Sequence, residues 1–192
     1  MTSTQDKVEI VVSNAGPLMA LAKIHALDLL KNLYGRIYTT ESVYYETVTA
    51  GLAHNAPDAL LIKKSYEQAT FEIKALDAQA APALTLPAKI HPVERESIQL
   101  ALQLKASVLL LDDWDVRRVA EANFKALKTR TVVKGTLGVI VTACQRQIIR
   151  PEHAIKLLEE IKLRRDIWIS AKLCDQVIKA VATIKENSPE TE

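Results

Sequence analysis

Aromatic residues are scarce in this chain of 192 residues, at 5%, and cysteine appears only twice. The first scarcity leaves aliphatic side chains to fill the interior, and with 48% apolar residues there are enough of them for a sizeable core. Cys144 and Cys174 lack metal-ligand spacing and stand among apolar residues at helical spacing. They read as plain buried thiols, and a disulfide framework is not expected. No run of about 18 apolar residues occurs, so no membrane span is expected. No basic segment followed by a long apolar stretch opens the sequence, so no signal peptide is expected either. Together these absences point to the cytoplasm. The net charge of +2 is too small to argue nucleic-acid binding by itself. His25, His54, His91 and His153 are scattered, and none is assigned a catalytic part. There is no internal repeat and no low-complexity segment.

What is present is an alternation of strand-like and helix-like segments. Val8 to Ser13 is a short apolar, β-rich run that ends at Asn14-Ala15-Gly16-Pro17. Leu18, Leu21, Ile24, Leu27 and Leu30 then follow at three-residue steps, a helical stripe. Arg36 to Thr40 reads as a second strand. Glu41 to Thr49 reads as a helix capped by Thr39 or Thr40 and stopped by Gly51. Asp58 to Ala69 reads as a helix, Thr70 to Lys74 as an exposed or edge strand, and Leu76 to Ile90 as a loop. Pro92 opens a helix to about Lys105, and Ser107 to Leu111 is a continuous apolar run, as in a strand covered on both faces. A helix from Asp115 to Asn123, a strand from Arg130 to Val133 and a helix from Gly135 to Gln147 follow. Two more helices span Pro151 to Leu163 and Ser170 to Lys185, and the tail from Glu186 to Glu192 is polar. This spacing predicts an α/β fold with a central parallel sheet between helical layers. One domain covers the chain, with a core at about 8–148 and C-terminal helices at about 151–186.

In an open parallel sheet, ligands bind beyond the carboxyl ends of the strands. The first strand ends at Asn14. The Ser107–Leu111 strand is followed by Asp112-Asp113-Trp114-Asp115, three carboxylates in four residues. Glu94 stands at the start of the preceding helix, with Glu96 close by, and Glu46 interrupts the apolar run of the helix from Glu41. Converging carboxylates repel one another unless a cation neutralises them, and a hard oxygen site favours Mg²⁺ or Mn²⁺. Each acid also has a structural reading. Asp112 or Asp113 can cap the next helix. Glu94 suits the positive end of a helix dipole, and Glu46 can lie on a solvated face.

Four segments carry a resemblance: VVSNAGPLMALAKIHALDLL, ESVYYETVTAG, VERESIQLALQLKASVLLLDDWDVRRVA and VVKGTLGVIVTACQRQII. Together, over roughly residues 8 to 170, they resemble the PIN-domain family, in its prokaryotic branch related to VapC-type toxins. The resemblance implies a three-layer fold and a Mg²⁺- or Mn²⁺-dependent endoribonuclease, often the toxin of a toxin–antitoxin pair. Carried over by position, the family's acidic set falls on Asn14, Glu46, Glu94 and Asp113, with Asp112 and Asp115 as close alternatives for the last place. Thr136 matches a hydroxyl residue near the family's site; it also reads as a helix N-cap. Asn14 departs from the family's aspartate and offers one neutral carbonyl oxygen where a carboxylate offers two charged ones. Three explanations stay open: a relative with weak or no nuclease activity, an engineered inactive variant, or sufficient charge from Asp112, Asp113 and Asp115.

From Arg117 to Arg165 the sequence holds twelve Lys or Arg against four Glu. Such cations bind nucleic acid by displacing counterions from phosphates, and they also occur on solvated helix faces. Arg117 and Arg118 follow the acidic cluster within reach of a phosphate held there. Trp114 reads either as packed on its neighbouring helix or as stacked on a base. The expected partners are RNA, an antitoxin protein and a second copy of the chain. The rival reading is a catalytically silent PIN-like module that binds RNA or a protein. A phosphatase with an aspartate nucleophile after the first strand is disfavoured, because Asn14 occupies that place.

Overall fold

The computed structural model describes residues 9–77 and 84–186, with the side chains of 184–186 excepted. In chain order the elements are β1 (Val11–Ser13), α1 (Ala15–Lys23), α2 (Asp28–Tyr34), β2 (Ile37–Thr39) and α3 (Glu41–Tyr44). A π-helical stretch (Tyr45–Ala50) carries α3 directly into α4 (Gly51–Ala53). Then come α5 (Pro57–Glu67), β3 (Phe71–Ile73), α6 (Pro92–Gln103), β4 (Val108–Leu110) and α7 (Trp114–Ala126). β5 (Val132–Lys134), α8 (Thr136–Gln145), α9 (Pro151–Leu163) and α10 (Ala171–Glu186) complete the fold.

The strands form one sheet of order β3-β2-β1-β4-β5, with every pairing parallel. Successive side chains on a strand point to opposite faces, and both faces are covered here. Val11, Val108 and Leu110 face a core built with Leu18, Leu30, Ile140 and Leu158, from α1, α2, α8 and α9. Val12, Leu109, Leu111 and Val133 face a second core with Ile98, Leu100, Val116 and Phe124, from α6 and α7. That is the predicted three-layer arrangement. β3 lies at an edge, as its alternation suggested. Cys144 and Cys174 are buried free thiols, and burial pushes both up.

Two expectations need correction, and a third is borne out in its described part. The stripe from Leu18 to Leu30 is divided into α1 and α2, because His25 takes φ 53 and turns the chain between them. Gly51 does not stop its helix; its φ of −59 and ψ of −45 are helical. Glycine is needed there because a Cβ would lie 2.7 Å from the Ala59 Cβ, so α5 packs against bare backbone. The loop from Leu76 to Ile90 is tied down where it is described. Gln103 bonds the Ala75 carbonyl and the Asp77 amide, and Asn123 bonds both backbone groups of Thr85. The remainder of that loop and the tail beyond 186 lie outside the described residues.

Candidate active site at the carboxyl edge of the sheet

The strand order reverses direction at β1 and β4, which are neighbours although far apart in sequence. A crevice opens at such a switch point in doubly wound sheets. Asn14 leaves β1 there, and Asp112 leaves β4 one residue beyond Leu111. α6 starts at the same edge, because its chain must run back to begin β4.

Glu94 is half-buried in the first turn of α6, and its Oε2 accepts the His91 amide at 3.1 Å. Burial pushes its carboxyl up, and the nearby charges of Asp113 and Glu46 push the same way; the His91 bond opposes them. Asp113 and Glu46 are thus close enough to act on the Glu94 carboxyl. Asp113 caps α7, accepting the Val116 amide at 2.9 Å through Oδ1. Glu94, Asp113, Asp115 and Arg118 line one cavity of about 860 Å³, walled on the other side by Leu86, Pro87 and Ile90. Asp115 is exposed at its rim and pairs with Lys89 at 3.7 Å.

The other candidates are not in its lining. Glu46 is exposed on the π-helical stretch. Such widened turns occur often at functional sites, and nothing in the hydrophobic period announces one. Asn14 is buried and caps α1, its Oδ1 accepting the Gly16 amide at 3.4 Å. Its Nδ2 donates to the Ser97 hydroxyl at 3.2 Å, one helical turn beyond Glu94. Asp112 is turned toward α8. It accepts the Thr136 amide at 2.6 Å and the Thr136 hydroxyl at 2.7 Å, and so supplies the cap that Gly135 lacks. Burial pushes Asp112 up, against the two Thr136 bonds and Arg117, which pull it down. A Cβ on Gly135 would lie 2.8 Å from Asp112 Oδ1, so glycine there makes room for the carboxylate. Thr136 is thus the first residue of α8 rather than its N-cap.

Among the described residues no three Asp, Glu, His or Cys side chains gather closely enough to enclose a metal ion by themselves. The donor set fits a different mode. Mg²⁺ usually keeps several waters and takes only one or two carboxylates, with substrate phosphates completing its shell. Glu94 and Asp113 each have one carboxylate oxygen free of the capping bond, and both border the cavity.

Arg117 lies with its guanidinium carbon 5.9 Å from the Trp114 ring centroid, and its buried Nε has no hydrogen-bond partner. Trp114 is 66% exposed, which overturns the reading of it as packed on a helix. The cations between Arg117 and Arg165 do not form one stripe: α7 lies on one face of the sheet, α8 and α9 on the other. Arg146, Lys162 and Arg164 are paired with Glu9, Asp175 and Asp166. Sequence reasoning missed His91 and Asn123, which shape the cavity, and Ser97, which holds Asn14. None of them has a motif to announce it.

The all-parallel five-stranded sheet between helical layers is consistent with a PIN fold. The chain belongs to that family: residues 10–183 match DUF3368, described as PIN domain. No curated protein and no solved structure matches it. Among the described residues no helix is long and apolar enough to cross a membrane.

Proposed function

We propose that this PIN domain is an Mg²⁺- or Mn²⁺-dependent endoribonuclease acting in the cytoplasm. The observation that carries the reading is the cavity shared by Glu94, Asp113, Asp115 and Arg118, in which Glu94 is pushed up by burial and by its acidic neighbours. Glu94 and Asp113 would hold the ion directly, and the exposed Glu46 through water. The ion, when bound, supplies a Lewis acid for the phosphodiester and eases ionisation of water near neutral pH. Arg118 steadies the phosphate from the cavity wall, and Arg117 does so from beside Trp114. Asp112 and Thr136 orient α8 against β4 rather than touching substrate. Asp115, paired with Lys89, sets the rim.

The toxin role, with an antitoxin protein as partner, is the narrower form of this proposal and rests on the family alone. A small DNA-binding protein encoded beside this one would support it. The rival is a silent module that binds RNA or a protein. It is favoured by the engagement of Asn14 with Ser97 and by the absence, among the described residues, of three acids within enclosing distance.

Cleavage of a mixed RNA with Mg²⁺, Mn²⁺ and EDTA decides between them. The nuclease reading requires cleavage that EDTA abolishes and that Glu94→Gln and Asp113→Asn each reduce by about 10²-fold or more. Cleavage absent under every metal condition gives the site to the silent module.

A further inference from the structure

The chain has two tryptophans, and neither enters the core. Trp114 is 66% exposed and Trp168 is 97% exposed. Leaving an indole in water forfeits the apolar burial that a core tryptophan would gain. Both phenylalanines, in contrast, are buried.

The two indoles flank the same point of the fold. Trp114 opens α7 on the sheet face covered by α6 and α7. Trp168 lies in the connection between α9 and α10, which pack on the opposite face. Trp168 lines a cleft of about 90 Å³ that also touches Gly16, Met19 and Asp112. Asp112 follows β4, two residues before Trp114, so both indoles belong to the carboxyl edge of the sheet.

The Trp168 loop is braced. Ile167 is buried in the core beside it. Asp166 binds Arg164 at 2.9 Å, and its carbonyl accepts Lys23 Nζ at 2.7 Å. The indole is therefore presented by a fixed backbone. A cation lies over Trp114, and others lie close to Trp168 along the chain. Arg117 sits over Trp114 with an unpartnered Nε, and Arg118 faces the cavity. Arg165 is exposed and has no ion-pair partner among the described residues.

We infer that Trp114 and Trp168 are two base-stacking platforms on a path for single-stranded RNA that crosses the carboxyl edge of the sheet past Arg117. The inference rests on the ribonuclease reading and adds to it where the substrate lies. Indole faces accept any base, and cations between them take the phosphates without reading sequence. A duplex keeps its bases stacked on one another and cannot use either ring.

The test uses the fact that each Trp→Phe variant leaves one fluorescent reporter. Trp114→Phe and Trp168→Phe are titrated, in EDTA, with a single-stranded RNA of about ten nucleotides, within the range of single-strand site sizes. Emission should be quenched in both variants. Trp114→Ala and Trp168→Ala should each weaken binding by about tenfold with an unchanged circular dichroism spectrum. The same sequence as a duplex should quench neither. RNA binding with unchanged Trp168 emission and wild-type affinity in Trp168→Ala would overturn the inference. So would Trp168→Ala that leaves RNA binding intact but dissolves a self-associated form in light scattering, because the surface would then serve a protein contact. Quenching without metal-dependent cleavage keeps the path and removes the nuclease; cleavage without quenching keeps the nuclease and removes the path.

Discussion

The side-chain amide of Asn14 donates to the Ser97 hydroxyl at 3.2 Å, and that hydroxyl donates onward to the Val93 carbonyl at 2.9 Å. Ser97 has spent its one proton on Val93, so what it needs from position 14 is a donor. Asparagine provides one and aspartate does not. The pair ties the end of β1 to α6 one turn beyond Glu94, which makes Asn14 a positioning residue for that acid.

Asn14→Asp should therefore cost about 1–3 kcal/mol of stability in EDTA, since Ser97 must abandon Val93 or face an unpaired carboxylate. The new charge also lands at Ser97, one helical turn from Glu94, whose carboxyl Asp113 and Glu46 already push up. Chemical denaturation in EDTA, on wild type, Asn14→Asp and Asn14→Asp with Ser97→Ala, measures the loss. A stability gain in the single variant, or cleavage that rises with Mg²⁺, would place position 14 among the ligands instead.

Asp112 and Gly135 form a second coupled pair. Asp112→Ala removes the cap of α8 and strands the Thr136 amide, at about 1–3 kcal/mol. Gly135→Ala drives a Cβ to 2.8 Å from Asp112 Oδ1 and 3.3 Å from Arg117 Nη1. That overpacking should also cost about 1–3 kcal/mol. In the double variant the clash with the carboxylate is gone, so the combined loss should be smaller than the sum of the two. Urea denaturation of the four proteins gives the coupling. Simple additivity would mean that Gly135 does not serve Asp112.

Much of this edge was legible in the sequence, and the reason is locality. Pro92 starting α6, the apolar run into β4, and the acids that follow it are all patterns within a few residues. Asp113 as a cap is of the same kind. What escaped is set by distant partners. Gly51 reads as a stop until Ala59 is seen pressing on it. The π-helical stretch under Glu46 leaves the apolar spacing unbroken. Asp112 and Asp113 are adjacent and alike in sequence, yet one caps its own helix and the other a helix that begins 24 residues later. Trp168 sits between two helices with nothing nearby to mark it as exposed.

Arg118 separates phosphate binding from structure. It is exposed and lines the cavity, with no ion pair among the described residues. Arg118→Ala should leave the melting temperature within about 1 °C, a surface-substitution effect. It should weaken single-stranded RNA binding several-fold and lower the slope of log affinity against log salt by about 0.7. An unchanged slope would mean that Arg118 touches no phosphate.

Glu94 supplies the pH test. Its carboxyl is pushed above the ordinary value of 4.5, first by burial and then by the charges of Asp113 and Glu46. A raised folded-state value means that the native state holds this proton more tightly than the unfolded chain. The resulting stabilisation is fully present below the unfolded value and is lost as pH rises through the folded one. In EDTA, wild type should therefore lose stability relative to Glu94→Gln as pH rises from around 4 to around 8. The glutamine keeps an oxygen for the His91 amide, so the cap survives and the comparison isolates the charge. Adding Mg²⁺ at the upper pH should reverse the order, because the cation binds the ionised carboxylate and stabilises the native state by mass action. Glutamine offers no such charge and should gain little. Thermal melts of both proteins across that pH range, with EDTA and with Mg²⁺, give all four comparisons. If the two proteins follow parallel pH profiles in EDTA, Glu94 is not held above its ordinary value. If Mg²⁺ raises both melting temperatures equally, the ion binds elsewhere and Glu94 is not a ligand.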